Sequence, residues 1–225
     1  MRILVCLTYY LPHRTGLTLH AARLARELVA RGHAVTVLSA RFRGDLPGDE
    51  TIDGVRVVRL AAPLKLSRGM VAPAYPRVLD RLLRAADLVH VHSPLPEIGL
   101  VAWRARRAGV PLVITHHGDL VLPRGAHNRL IERAMRALYH VGARRAAALV
   151  AYSEDNAAHS SWLRPYAAKT TAILPPVEIP EPPAGKVPTH VSAGKRRNRP
   201  PSGSSCRRPR KDALTSRLPD GPETS

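Results

Sequence analysis

Arg2-Ile3-Leu4-Val5-Cys6-Leu7, the turn Thr8–Leu17 after it, and Leu17, Ala21, Leu24 and Leu28 beyond decide the fold. The first run is nearly unbroken in apolar residues, as in a parallel strand covered on both faces. Tyr9-Tyr10-Leu11-Pro12-His13-Arg14-Thr15-Gly16 reads as a polar turn, and the leucines and alanine recur at helical spacing. Gly32 stands where a helix C-terminus favours a left-handed residue, and Ala34–Leu38 is a second β-branched run. Together these make a βαβ unit. Its helix points an N-terminus, with unpaired N–H groups and partial positive charge, over the carboxyl end of the first strand. Gly16 lets backbone approach a ligand there without a Cβ in the way.

The pattern continues down the chain. Polar residues 41–51 lead to an Asp53-Gly54 turn and an alternating strand, Val55–Leu60, for which a sheet edge is one place. Pro63–Pro76 reads as a flexible surface loop. Arg77–Ala86 is a helix with Val78, Leu79, Leu82 and Leu83 on one face. Asp87–His92 is a strand, Glu97–Ala108 a helix closed by Gly109, and Pro111–Thr115 another strand. A loop, His116–Pro123, precedes a long helix, His127–Arg145, whose apolar face is Leu130, Ala134, Leu138 and Val141. Ala147–Tyr152 is a strand, Ser153 an N-cap with Glu154 complementing the helix dipole, and Glu154–Leu163 a helix stopped by Pro165. Thr171–Leu174 is the last strand. Strands alternating with helices predict an α/β fold: a doubly wound, mainly parallel, Rossmann-like sheet with helices on both faces. Ligands of such sheets bind beyond the carboxyl ends of the strands. Tyr9–Gly16, His92–Pro96, His116–Asp119 and Ser153-Glu154 therefore face one crevice.

The chain has 225 residues, 44% of them hydrophobic, and a formal net charge of +18. Residues 184–225 hold ten Lys/Arg against three Asp/Glu, leaving +11 on the rest. Val177–Pro183 is Pro-rich, and 186–225 lacks Ile, Phe, Tyr, Trp and Met. Such a segment buries too little surface to offset the entropy of ordering, so a linker (177–185) and a disordered basic tail (186–225) are expected after a domain over 1–176. Its basic runs carry no interleaved aromatics for base stacking, so nucleic acid is not the partner expected, although salt-dependent binding through the tail is an alternative. Arginines on the helices leave peripheral contact with anionic lipid open. Two cysteines, Cys6 and Cys206, do not make a disulfide framework, which fits a reducing cytoplasm. No stretch reads as a secretory signal or approaches the length of a membrane span.

Three places carry candidate chemistry. The Gly16 turn is not a dinucleotide fingerprint, since Leu17, Thr18, Leu19 and His20 follow it. His90 and His92 share one strand face, but without a Cys, Asp or third His at fixed spacing no metal site is expected. His90 reads as a satisfied core histidine and His92, at the strand end, as a crevice residue. In His116-His117-Gly118-Asp119 an imidazole can hydrogen-bond a sugar hydroxyl or a developing leaving-group charge, and Gly118 permits close approach. The plain alternative is a solvent-exposed histidine pair.

With these residues in hand, Met1–Pro176 resembles the amino-terminal domain of family-4 retaining glycosyltransferases of the GT-B fold. The matching stretches are Tyr10–Gly16 with Leu24–Val37, Asp87–His92, Val113–Asp119 and Val150–Glu154, in that order. The resemblance implies transfer of a sugar from a nucleotide-sugar, a substrate rather than a cofactor, to a carbohydrate or lipid-linked acceptor, with no essential metal. It implies that His117 meets the donor sugar, that Gly16 and Leu17 approach the donor phosphates, and that His92, Gly118 and Asp119 line the cleft. Leu17 stands where the usual second glycine would be, and His116 at a variable position. The family's second, donor-binding domain has no counterpart after Pro176. The composition break near Lys186 carries the expectation of a shifted or truncated reading frame and of a chain inactive alone. A non-catalytic nucleotide- or sugar-binding module working with a separate partner chain is the alternative.

Overall fold

The computed structural model describes residues 1–66 and 69–175, so the expected linker and tail lie outside the described residues. The strands are β1 (Arg2–Cys6), β2 (Ala34–Ala40), β3 (Asp49–Ile52), β4 (Val55–Leu60), β5 (Leu64–Leu66), β6 (Gly69–Val71), β7 (Leu88–Ser93), β8 (Leu112–His116), β9 (Ala148–Ala151) and β10 (Thr170–Ala172). The helices are α1 (Gly16–Ala30), α2 (Tyr75–Leu83), α3 (Ile98–Arg107), α4 (Ala126–Arg145) and α5 (Glu154–His159), with a 3-10 helix over Arg164–Lys169. Eight strands form one sheet in the order β10-β9-β8-β7-β1-β2-β4-β3. All its pairings are parallel except β3 with β4. This is the expected doubly wound α/β sheet. The chain winds outward from β1 to β2 and β4, then crosses to β7 on the other side of β1. The crevice-forming reversal of strand order thus falls between β1 and β7.

Period-two alternation along the strands builds two cores. Ile3, Val5, Leu7, Val35, Val37, Val55 and Val57 face α1 through Ala21 and Ala25. Leu4, Cys6, Leu38, Val89, Val91 and Ile114 face α2, α3 and α4 through Leu79, Ile98, Val101 and Tyr139. Each such side chain, once buried, contributes roughly 1.5–3 kcal/mol. The small residues let helices come close. A Cβ added at Gly142 in α4 would stand 2.8 Å from Ile98 Cγ1 in α3.

Several sequence expectations change. Val55–Leu60 is not an edge, because β3 pairs outside it; Asp53 (φ 50°) and Gly54 (φ 78°) make the tight turn between them. Strand β3 escaped notice because Asp49 and Glu50 suit an exposed edge better than an apolar pattern. Pro63–Pro76 is not all loop. It holds the β5–β6 hairpin, and Pro76 sits in the first turn of α2, where its missing N–H costs nothing. Leu130 (66% exposed) and Leu138 (38%) are not a buried face of α4, which packs through Tyr139, Gly142 and Ala143 near its end. Helix α5 stops at His159, and Pro165 opens the 3-10 helix rather than ending a longer one.

Candidate functional site at the carboxyl ends of the strands

The site begins with the start of α1. Thr15 caps it: its side chain accepts the Thr18 N–H at 3.2 Å, and the Thr18 hydroxyl accepts the Thr15 N–H at 2.7 Å. No acidic residue occupies the first turn, so nothing there neutralises its partial positive charge. A Cβ built on Gly16 would meet nothing within 4 Å. The preceding loop is pinned from outside. Arg59, 3% exposed, donates to the Leu11 carbonyl at 2.6 Å and to the Pro47 carbonyl at 3.2 Å, and pairs with Glu50. Thr8 Oγ1 donates to the Pro94 carbonyl at 3.4 Å, joining this loop to the end of β7.

One turn into α1, His20 turns its ring toward β7, β8 and β9. Its centroid lies 5.1 Å from His117, 5.7 Å from His92 and 5.3 Å from Tyr152. Gly16 and His20 share a helix face at i and i+4, so the α1 terminus and His117 lie on the same side of the molecule. His117 is held from two directions: Nε2 lies 2.8 Å from His92 Nδ1, and Nδ1 meets the Tyr152 hydroxyl. Both ring nitrogens are engaged within the protein.

Burial sets the charge state. It pushes His117 down to about 3 and His92 well below the ordinary imidazole range, with neighbouring imidazoles adding to the effect. His20 is lowered by burial as well, and Tyr152 is pushed up to about 12. The cluster is therefore neutral near pH 7. Its protons run in one of two directions. Either Tyr152 donates to His117 Nδ1 and His117 Nε2–H to His92, or His92 donates to His117 and His117 Nδ1–H to Tyr152.

The neighbouring residues serve the scaffold. His90 Nε2 lies 2.7 Å from Thr115 Oγ1, the satisfied core histidine expected. His116 is fully buried, which excludes an exposed histidine pair. Its Nε2 donates to Asp119 Oδ1 at 2.9 Å. Asp119 also accepts from the Ser161 N–H (2.9 Å), the Ser161 hydroxyl (2.8 Å) and the Ser160 hydroxyl. Burial alone would raise Asp119, but the hydrogen bonds from Ser160, Ser161 and His116 outweigh it and hold the carboxylate below its usual range. Asp119 thus clasps the β8 loop to the turn after α5. Gly118 has φ 148°, a backbone conformation that side chains disfavour, and lets His117 and Asp119 diverge.

The structure gathers His92, His117 and the α1 terminus bearing Gly16, as the sequence led one to expect. Leu17 packs partly against the α1 core, and His92 is fully buried behind His117. His20 and Tyr152 were missed. His20 carried a signal in its spacing from Gly16; Tyr152 looked like the end of a strand. A cavity of about 280 Å³ beside Arg106 and Arg145 lies at the opposite, amino-terminal ends of the strands.

Sheet order, switch point and strand-end cluster define a Rossmann-like domain, one half of a GT-B fold. Residues 15–176 match the glycosyl transferase 4-like domain, and the chain belongs to that family. No curated protein matches. Among solved structures it is similar to sucrose-phosphate synthase from Thermosynechococcus elongatus, at 16% identity and TM-score 0.53 over 77% of this chain and 47% of that one. It is also similar to Anabaena HepE in complex with UDP and glucose, at 17% identity and TM-score 0.54 over 78% of this chain and 45% of that one. The chain spans just under half the length of these two proteins. No helix among the described residues is long and apolar enough to cross a membrane.

Proposed function

We propose that this chain is the acceptor-side half of a retaining glycosyltransferase that moves a sugar from a nucleotide-sugar to a carbohydrate or lipid-linked acceptor. The observation that carries the reading is the meeting of the α1 N-terminus, through His20, with His117 at the β1/β7 switch point. An uncompensated helix N-terminus attracts a diphosphate, and Gly16 with Leu17 are its first residues. A neutral imidazole beside it accepts from, or donates to, a sugar hydroxyl without placing a full charge in the crevice. A sugar that takes His117 Nδ1 displaces Tyr152, the partner nearer solvent, while His92 keeps the ring oriented from behind. Gly118 and Asp119 shape the wall next to it. HepE was solved with UDP and glucose, which makes nucleoside diphosphate and hexose the chemistry to try first.

Transfer depends on positioning both substrates, and the crevice between the α1 terminus and His117 is the part of that arrangement assigned to this chain. The domain is taken to end near residue 176. The amino-terminal half of α4 leaves Leu130 exposed among Arg129, Arg133 and Arg136, a surface suited to anionic lipid headgroups at the cytoplasmic face of a membrane. The test is calorimetric binding of several sugar nucleotides to the full chain and to His117→Ala. The reading expects binding that the substitution weakens at least tenfold; equal binding by both would contradict it. The second reading, favoured by the chain's spanning about half of those two proteins, is a binding module whose partner chain carries the donor half. Turnover that appears only on adding such a chain would select it.

A further inference from the structure

We propose that His20, His92 and His117 form a three-histidine site for a borderline transition-metal cation, Zn²⁺ being the reference ion. One ring nitrogen from each residue lies within 4.8 Å of the other two. The three come from α1, β7 and the loop after β8, so the sheet brings together what is 72 and 25 residues apart in the chain. The pair that sequence spacing offered, His90 and His92, is not the one assembled. His90 spends its Nε2 on Thr115.

One buried nitrogen argues for an unmet ligand: Nδ1 of His20 is buried without a hydrogen-bond partner. A buried polar atom left unpaired is unfavourable, and such orphans call for an ion, a water or a rearrangement. His92 Nδ1 and His117 Nε2 already face each other at 2.8 Å. Zinc–nitrogen bonds of about 2.0–2.1 Å in tetrahedral array set two ligand nitrogens roughly 3.3 Å apart. The pair therefore opens by about half an ångström while His20 moves in.

The proton arithmetic also closes. Two neutral rings facing each other share one proton between the facing nitrogens. For both to offer lone pairs, that proton moves to the far nitrogen of its own ring. On His117 it becomes Nδ1–H and donates to Tyr152, the second-partner arrangement that orients metal-bound histidines. On His92 it becomes Nε2–H. No proton need leave the site.

The donor set fixes the class of ion. Three imidazoles and no carboxylate suit Zn²⁺, Cu²⁺, Ni²⁺ or Co²⁺ and leave the hard cations Mg²⁺ and Ca²⁺ poorly served. The positive end of α1 acts chiefly within its first turn, and His20 lies just beyond it. Three protein ligands leave a fourth position open for water. Resting on the proposed function, an ion there also takes the ring that would meet the sugar, so it excludes donor from the crevice.

The test uses the full chain, stripped of metal, in competition with a chromogenic zinc chelator. Wild type and His159→Ala, a change at an exposed histidine of α5, should each bind one tight equivalent of Zn²⁺. His20→Ala and His117→Ala should weaken that equivalent at least tenfold, with circular dichroism confirming the fold, and Mg²⁺ should not compete. Absence of a tight equivalent, or one untouched by both substitutions, overturns the site. Nucleotide-sugar binding is titrated separately with and without Zn²⁺. Its insensitivity to the metal, or its absence, counts against the crevice reading alone, while the chelator titration decides the site.

Discussion

His117 Nε2 and His92 Nδ1 lie 2.8 Å apart, so the loop after β8 is tied to β7 through two neutral imidazoles. The two ends of this arrangement are not equivalent. His92 is fully buried, whereas Tyr152, on the other side of His117, is only partly so. His92→Ala removes a buried ring and strands its partner, and should cost about 2–4 kcal/mol. Tyr152→Phe loses one hydrogen bond and should cost about 1 kcal/mol. Urea midpoints of the two variants check the order.

Acid should unfold the protein earlier than its carboxylates require. Burial pushes His90 down to about 4 and His117 to about 3, against 6.5 for the exposed group. The unfolded chain therefore binds protons that the folded chain refuses. Stability is complete above pH 6.5 and falls as pH drops through that value toward 4. For His90 alone the loss by pH 4 is about 3 kcal/mol. Asp87, held near 2 by the hydrogen bonds and charge of Arg2, acts in a different window: its contribution is present above 3.8 and lost only as pH falls toward 2. Urea titrations at pH 7.5, 5.5 and 4.5 report the imidazole window alone, and one at pH 3 adds that of Asp87. His90→Asn should flatten the upper part of the profile.

Arg59 links the β3–β4 hairpin to the loop before α1. It is buried with Glu50 and two backbone carbonyls as partners, so Arg59→Met leaves those acceptors without a donor. The expected cost is about 3 kcal/mol. Because Leu11 is then released, amide exchange should quicken over residues 9–15 before it does in β4. Uniform quickening would show that the guanidinium does not pin that loop in particular.

Asp119→Asn tests the clasp. Asparagine keeps the shape but loses the charge that accepts from His116, Ser160 and Ser161. A loss of about 2 kcal/mol is expected, within the range for hydrogen bonds to a charged group. If Asp119 acted only on substrate, thermal unfolding of the variant would match wild type.

The sheet was legible because its central strands are buried on both faces: Ile3–Leu7 and Leu112–Ile114 declare themselves as apolar runs, and Leu88–Val91 as one interrupted only by His90. Where burial is one-sided or packing depends on small residues, pattern failed. Asp49 and Glu50 hide an edge strand. Gly142 and Ala143 are the buried contact of α4, with the part-exposed Leu138 touching α3 at Gly99 and Leu130 left in solvent, since close helix approach selects for small residues. Part of the site was legible too. A histidine at a strand's carboxyl end points to the crevice, and His117 lies there. Only its spacing of four from Gly16 marks His20 and nothing local marks Tyr152, because their meeting depends on how α1 and β9 are set against β8.

The central claim is that a nucleotide-sugar binds where α1 meets His117. Its most direct test is an amide NMR titration of the full chain with a panel of nucleoside-diphosphate sugars, UDP-glucose first. The account predicts shifts gathered at Gly16, Leu17, His20, His117 and Tyr152 that vanish in His117→Ala. Silence at those amides throughout the panel, or shifts gathered instead around Arg106 and Arg145 at the other end of the sheet, would contradict it.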